Sequence, residues 1–143
     1  MRHILLPLDG SATSKHSIEQ AISFARAFKE TKFTLLYVLS HPEGEMMTNG
    51  SIMMQNAIEA EKEKSERMLE TYREEFGEDK DRVAIQVTIG PISSVIIDMV
   101  ETSDIDYIIM GSQGLGSAMR RLLVGSVAKK VLTSVDVPVL VVR

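Results

Sequence analysis

The sequence of 143 residues contains no cysteine and no tryptophan, and only four prolines. Without cysteine the chain has no disulfide scaffold, zinc ribbon, iron–sulfur site or thiol nucleophile. No apolar run approaches the ~20 residues that a membrane-spanning helix requires. The apolar stretch at the start is also too short for a signal peptide. We therefore expect a soluble protein of the cytoplasm that does not associate with a membrane.

The overall composition is that of a globular protein, with 44% hydrophobic and 25% charged residues. The length suits a single domain, residues 1–143, built around one core. A formal net charge of −4 argues against nucleic acid as a partner. That charge is unevenly distributed, because residues 59–82 hold ten acidic and six basic side chains, whereas 107–143 hold five basic and one acidic. An anionic ligand would therefore be sought in the C-terminal segment.

Several motifs of enzymes and metal sites are missing. The chain lacks the Gly-x4-Gly-Lys-Ser/Thr sequence of P-loop enzymes and the Gly-x-Ser-x-Gly elbow of hydrolases. His3, His16 and His41 are scattered without metal-ligand spacing, so we predict no metal site and assign them to the surface or to packing. A phospho-accepting receiver domain needs an aspartate after its third strand, where this chain has Ile89-Gly90-Pro91.

Five apolar runs predict β-strands. Four of them, residues 4–8, 33–39, 107–110 and 137–142, are continuously apolar, which is typical of strands buried on both faces of a parallel sheet. The fifth, 83–89, alternates apolar and polar residues and is predicted to lie at an edge.

Four helical patterns separate these runs. The first begins near Ser14 or Thr13 as N-cap, the second covers 51–76, the third follows Gly90-Pro91, and the fourth covers 125–134. Alternating strands and helices predict an α/β fold with right-handed crossovers and helices on both faces of the sheet. Five strands favour a parallel sheet in the flavodoxin-like, Rossmann-like order 3-2-1-4-5.

In such a sheet, ligands bind beyond the carboxyl ends of the strands where the strand order reverses. With the predicted order this point lies between strands 1 and 4. Strand 1 ends in Pro7-Leu8-Asp9-Gly10-Ser11, and strand 4 ends in Met110-Gly111-Ser112-Gln113-Gly114. The two loops with the strongest turn and polar character therefore converge on one place.

The segment after strand 4 has the features of a phosphate-binding cradle. Gly111, Gly114 and Gly125 let backbone N–H groups approach an anion, and Gly125-Ser126 opens the fourth helix, whose N-terminus carries partial positive charge. Each feature also has a structural interpretation: glycines are common after strands, and a serine before a helix is an ordinary cap. Asp9 could likewise cap the first helix or hold its own loop. The combination favours the phosphate-binding interpretation.

At these residues the chain resembles the universal stress protein family. The resemblance covers the whole chain, including 4–11 (Ile-Leu-Leu-Pro-Leu-Asp-Gly-Ser), the end of strand 2 at Leu36-Tyr-Val38, and the closing strand after Gly125-Ser-Val. It implies the five-stranded fold and an ATP site, with Mg²⁺ or Mn²⁺ as a possible companion of the nucleotide. The resemblance places adenine near Pro7, Asp9 and Val38, with Asp9 also near the ribose or a divalent ion. It places the phosphates and ribose against Gly111, Gln113, Gly114, Gly125, Ser126 and Val127. Met110, at the end of strand 4, is also expected to contact the nucleotide.

The chain departs from the family's nucleotide-binding signature at one point. The signature has nine residues between its second and third glycines, whereas ten residues separate Gly114 from Gly125. We expect the extra residue to be absorbed within 116–118, which keeps both phosphate-binding ends in place. If it is not absorbed there, affinity for a triphosphate falls.

Three functional hypotheses follow. The first is an ATP-binding regulatory module of the stress response with little or no catalysis, since no general base is evident beside the phosphates. The second is an adenine-nucleotide hydrolase, although such enzymes normally carry a further substrate domain. The third is a dimeric interaction protein that binds no nucleotide. The apolar strand 137–143 lies at a sheet edge in the predicted order, so we also predict a homodimer formed through it.

Overall fold

The structure, a computed structural model, describes residues 1–40, 52–113 and 124–143. Strands and helices alternate along these ranges, as the apolar runs predicted. The elements in chain order are β1 (His3–Pro7), α1 (Ala12–Ala27), β2 (Lys32–Leu39), α2 (Ile52–Glu74), a 3₁₀ helix (Gly77–Arg82), β3 (Val83–Ile89), α3 (Ile92–Thr102), β4 (Tyr107–Gly111), α4 (Ser126–Ser134) and β5 (Val139–Val142).

The five strands form one parallel sheet in the order β3-β2-β1-β4-β5, which confirms the predicted topology. The alternating strand β3 lies at one edge, as predicted, and β5 lies at the other. The strand order reverses between β1 and β4. Because all strands run in the same direction, the loops that follow β1 and β4 emerge side by side at the carboxyl edge of the sheet.

The sheet separates two hydrophobic layers. Ile4 and Leu6 of β1 pack on one face with α1 and α2, while Leu5 packs on the opposite face with α3 and α4. All three side chains are fully buried, which explains why β1 is continuously apolar instead of alternating. Burial of such a side chain contributes about 1.5–3 kcal/mol relative to exposure.

Several element boundaries differ from the prediction by one to three residues: β1 covers His3–Pro7 instead of 4–8, and α2 covers Ile52–Glu74 instead of 51–76. Two further differences concern hydrogen-bonding groups. The N-cap of α1 is Ser11, whose hydroxyl accepts a hydrogen bond from the Ser14 backbone N–H at 3.2 Å, so the predicted caps Ser14 and Thr13 lie inside the helix. The last strand begins at Val139 and not at residue 137. Pro138 has no backbone N–H to donate to β4, although its carbonyl oxygen accepts from Ile108.

The long helix α2 spans 23 residues and is followed by Gly77, whose φ of +58° lies in the left-handed region that favours glycine. Its composition is strongly charged, in keeping with the acidic excess of residues 59–82. Within the described ranges, no helix is both long enough and apolar enough to cross a membrane.

Candidate functional site

A cavity of about 280 Å³ opens at the carboxyl ends of β1 and β4. Nine of the ten predicted site residues line it: Pro7, Asp9, Val38, Met110, Gly111, Gln113, Gly125, Ser126 and Val127. The tenth, Gly114, lies outside the described residues, as do Arg120 and Arg121. The two loops that the sequence singled out therefore border one cavity, at the point where the strand order reverses.

One wall of the cavity is apolar. Leu36 of β2, Ile96 of α3 and Met110 of β4 are almost completely buried, and Ile92 and Val38 are partly buried beside them. Leu36, Ile92 and Ile96 were not predicted as site residues. Their helical and strand periodicity marks them as core positions, and periodicity alone does not tell a core side chain from one that lines a cavity.

Asp9 holds its own loop and does not cap α1. Its carboxylate oxygen Oδ1 accepts hydrogen bonds from the Ser11 backbone N–H at 2.9 Å and from the Ser14 hydroxyl at 2.8 Å. The Asp9 backbone N–H in turn donates to the Ser14 hydroxyl at 3.0 Å. Gly10 has a φ of +83°, and this left-handed conformation turns the chain from β1 into α1. Of the two structural alternatives for Asp9, the structure therefore supports the loop.

The first turn of α1 also holds the loop that follows β4. The hydroxyl groups of Thr13 and Ser11 both donate to the backbone carbonyl oxygen of Gln113, at 2.5 and 3.3 Å. Gly111 lies directly against Thr13, where no side chain would fit. Gly111 thus has a packing role at the β4–α1 contact as well as a place in the cavity wall.

Both ends of the segment between β4 and α4 are anchored by the backbone of Ser112. The Ser112 N–H donates to the Val142 carbonyl oxygen of β5 at 2.7 Å, and the Ser112 carbonyl oxygen accepts from the Gly125 N–H at 2.6 Å. The Gly125 N–H is therefore already engaged within the protein. Gly125 contributes to the cavity as the residue that caps α4 without a side chain.

The N-terminus of α4 opens into the cavity. Gly125 is its N-cap, and Ser126, Val127 and Ala128 of the first turn line the cavity. The first N–H groups of a helix have no partner within it, and no side chain among the described residues caps this helix. Ser126 occupies the first helical position and is exposed, so it does not act as the cap considered from the sequence. The first turn offers backbone donors and partial positive charge to an anion.

The electrostatics of the cavity are simple. Among the described residues that line it, Asp9 alone has an ionisable side chain. Lys129 and Lys130 are exposed on α4, just beyond the first turn. In the ranges that the structure covers, no three acidic or histidine side chains are grouped to hold a metal ion.

His3 and His16 lie away from the cavity. His3 Nε2 is 2.8 Å from the Thr34 hydroxyl near the amino end of the sheet, and His16 Nδ1 is 2.8 Å from the carbonyl oxygen of Arg143. Both therefore take part in packing or surface contacts, as predicted. His41 lies outside the described residues.

The fold and the placement of the cavity define an α/β protein with a cavity at the switch point of a five-stranded parallel sheet. The model of the universal stress protein family matches residues 1–143. The chain belongs to this family, as its resemblance at both ends and in the glycine-rich segment implied.

Individual relatives agree with this assignment. Universal stress protein MJ0531 of Methanocaldococcus jannaschii is 27% identical to the chain, with 99% of this chain and 82% of the relative covered. The solved structure of hypothetical protein MJ0577 has a TM-score of 0.82 at 27% identity and covers 99% of this chain and 94% of its own. A universal stress protein family protein from Arabidopsis thaliana, solved with AMP bound, has a TM-score of 0.70 at 18% identity and covers 99% and 91%.

Proposed function

We propose that the protein binds ATP in the cavity between the β1 and β4 loops and acts as a small regulatory module of the stress response. One observation carries the proposal: a single cavity combines an apolar wall with an N-terminus of α4 that none of the described side chains caps. Such a wall suits the face of an adenine ring, and the helix N-terminus suits phosphate groups. The AMP-bound relative from A. thaliana supports an adenine nucleotide as ligand.

Each part of the nucleotide has a proposed contact surface. Adenine packs between Val38 and Met110, beside Pro7. The ribose lies at Asp9, whose carboxylate accepts hydrogen bonds from its hydroxyl groups. The phosphates extend towards Gly125 and the first turn of α4, with Gly111, Gln113, Gly114, Ser126 and Val127 around them. Mg²⁺ or Mn²⁺ accompanies the phosphates as part of the nucleotide complex.

The ten-residue spacing between Gly114 and Gly125 is compatible with this proposal. Ser112 and Gly125 are joined by a backbone hydrogen bond, and Ser112 is also held to β5. These bonds hold Ser112 and Gly125 next to each other. The predicted place of the extra residue, 116–118, lies outside the described residues. We propose that the extra residue is absorbed there, so that ATP affinity is retained.

Little or no catalysis is proposed for this site. Asp9 is the one ionisable side chain among the described residues of the cavity wall, and it lies at the ribose position of the proposed complex. A general base for hydrolysis would have to reach the water that attacks the γ-phosphate. The module is therefore expected to respond to nucleotide binding, and at most to hydrolyse ATP slowly.

Isothermal titration of the purified protein with ATP, with and without Mg²⁺, tests the binding proposal. We expect saturable binding with a stoichiometry of one nucleotide per chain, and mass spectrometry should detect co-purifying adenine nucleotide. No detectable binding at millimolar ATP would rule the proposal out. Prolonged incubation with MgATP should yield little ADP or AMP, and fast turnover would instead identify a hydrolase.

We also propose that the protein is a cytoplasmic homodimer that pairs through β5. The carbonyl oxygens of Pro138 and Val142 point towards β4. Because peptide groups alternate along a strand, the N–H and carbonyl groups of Val139 and Val141 point away from β4, towards the open edge. All four residues of β5 are partly exposed in the single chain. An apolar edge of this kind is normally paired or covered.

A further inference from the structure

We propose that Ser14 is a positioning residue for the nucleotide, acting through Asp9. This inference rests on the proposed function, because it assigns a task to a residue that supports the same cavity. Ser14 lies in the first turn of α1 and is only 3% exposed. It also lines the cavity.

The hydroxyl group of Ser14 forms a reciprocal pair of hydrogen bonds with Asp9. It donates to Asp9 Oδ1 at 2.8 Å and accepts from the Asp9 backbone N–H at 3.0 Å. A hydroxyl has one donor, so its donor capacity is directed entirely at the carboxylate. Ser14 thus fixes the backbone and the side chain of Asp9 at the same time.

This arrangement determines where the carboxylate lies in the cavity. The Ser11 backbone N–H binds the same oxygen, Oδ1, at 2.9 Å. Two donors that converge on one oxygen define the orientation of the carboxylate before a ligand arrives. Binding groups held in this way lose less conformational freedom when the complex forms, and this preorganisation raises affinity.

Loss of the Ser14 hydroxyl removes one donor from the Asp9 carboxylate and one acceptor from the Asp9 backbone N–H. The Ser11 N–H still binds Oδ1, but the orientation of the carboxylate is less strongly fixed. Hydrogen bonds to a charged group are among the stronger ones in proteins, so the expected effect is measurable.

The chain offers a matched control in Ser17. It lies in α1, is fully buried, and its hydroxyl donates to the Thr13 carbonyl oxygen at 2.9 Å. Ser17→Ala therefore removes the same atom from the buried face of the same helix, at a position that does not line the cavity. It reports any effect of hydroxyl loss that acts through the stability of the helix alone.

The test is a double-mutant cycle on ATP affinity with Ser14→Ala and Asp9→Ala. We expect Ser14→Ala to weaken ATP binding about fivefold or more, and Ser17→Ala to stay within about twofold of the unaltered protein. In the Asp9→Ala background, Ser14→Ala should cause a much smaller further loss, because the carboxylate is gone and only the backbone N–H of residue 9 remains as a partner of the Ser14 hydroxyl. An equal loss in both backgrounds would show that Ser14 acts independently of Asp9 and would overturn the inference.

A second measurement does not depend on the nucleotide. Hydrogen exchange at the Asp9 backbone N–H should be faster in Ser14→Ala than in Ser17→Ala, because only the first change removes its acceptor. If the unaltered protein binds no ATP, the proposed function fails whatever the exchange data show. If it binds ATP and Ser14→Ala binds it equally well, the positioning role alone fails.

Discussion

Gly111 lies so close to Thr13 that a Cβ atom on Gly111 would come within 2.9 Å of the Thr13 Cβ and 3.0 Å of its carbonyl carbon. The C-terminal end of β4 therefore packs closely against the first turn of α1. The backbone of Gly111 faces the backbone and the side chain of Thr13. At this contact the Thr13 hydroxyl also donates a hydrogen bond to the Gln113 carbonyl oxygen. The contact joins the two loops that border the cavity.

Gly111→Ala is therefore expected to destabilise the protein by about 1–3 kcal/mol, the usual cost of overpacking a tight contact. Urea denaturation measures the change in the free energy of unfolding. Adding Thr13→Ala should recover only part of the loss, because the Cβ and the carbonyl carbon of residue 13 remain close. A Gly111→Ala protein with unchanged stability would show that the two elements move apart at little cost.

Val127→Glu tests the helix end of the proposed nucleotide site. A carboxylate in the first turn of α4 interacts favourably with the helix dipole, so the fold should persist. The same carboxylate repels phosphate groups. We expect ATP affinity to fall roughly tenfold or more, equivalent to at least ~1.4 kcal/mol. Leu132→Glu places the same charge on an exposed position of the same helix. Equal ATP affinities in the two variants would show that the phosphates do not lie at the N-terminus of α4.

Val141→Pro tests the proposed dimer. The proline removes an N–H that points towards the open edge of β5, and it leaves the donors that face β4 intact. Light scattering at micromolar concentration should then give the monomeric mass, where the unaltered protein gives the dimeric mass. Val87→Pro is the control on β3, at the opposite edge of the sheet. Dissociation by Val87→Pro, with dimers retained in Val141→Pro, would assign the interface to the other edge.

Arg82 stabilises the C-terminal end of α1 through hydrogen bonds to backbone carbonyl oxygens. Its guanidinium donates to the carbonyl oxygens of Ala25, Phe28 and Thr31 at 2.7, 3.0 and 2.6 Å, and to the Asp79 carboxylate at 2.6 Å. The hydrogen bond from Arg82 also lowers the pKa of Asp79. The last carbonyl groups of a helix have no partner within it, and here one side chain satisfies three carbonyl oxygens at the end of the helix and beyond it.

Arg82→Ala is expected to lower the free energy of unfolding by about 2 kcal/mol, because several partly buried acceptors lose a charged donor together. Arg67→Ala is the matched control: its side chain is 72% exposed and its ion pair with Glu63 spans 4.0 Å, so almost no change is expected. Chemical denaturation measures both. Similar losses in the two variants would contradict the role given to Arg82.

His3 introduces a dependence of stability on pH. Burial lowers the pKa of His3 below 6.5, since removal of water disfavours the charged imidazolium. The carboxylate of Asp106 opposes this shift, and the positive charge of Lys32 adds to it. The unfolded chain therefore takes up a proton near pH 6.5, whereas the folded chain takes it up only at lower pH. The free energy of unfolding should fall as the pH drops through this interval.

His3→Gln should flatten the pH dependence of stability below about pH 7, because the titrating group is removed. Thermal or urea denaturation at several pH values provides the measurement. If His3→Gln keeps the slope of the unaltered protein, His3 does not couple folding to protonation.

Much of the fold could be predicted because its central strands are buried on both faces. Runs such as 4–8 and 33–39 are almost entirely apolar, and this pattern predicts a parallel sheet before any contact is known. The edge position of β3 followed from its alternation. The cap of α1 could not be predicted in the same way, since Ser11, Thr13 and Ser14 are chemically equivalent candidates within four residues.

The residues of the candidate site could likewise be predicted only in part. Asp9, Gly111 and Gln113 were predicted because they lie at or just after the ends of β1 and β4, and because the family resemblance places the nucleotide at them. Ile92 and Ile96 were missed, because an apolar residue on a helix looks the same in sequence whether it faces the core or a cavity. The two hydrogen bonds between Ser14 and Asp9 were also missed, because they depend on the turn at Gly10.

The sequence by itself determined the alternation of strands and helices, the strand order and the edge at which the two loops meet. Those features follow from local periodicity and from chain connectivity, both of which can be read from the order of the residues. The tertiary structure alone decided which hydroxyl caps α1, which one holds Asp9, and that the Gly125 N–H is engaged by Ser112. These are choices among equivalent polar groups separated by a few ångströms, and only the packing of β1, β4 and α1 against one another makes them.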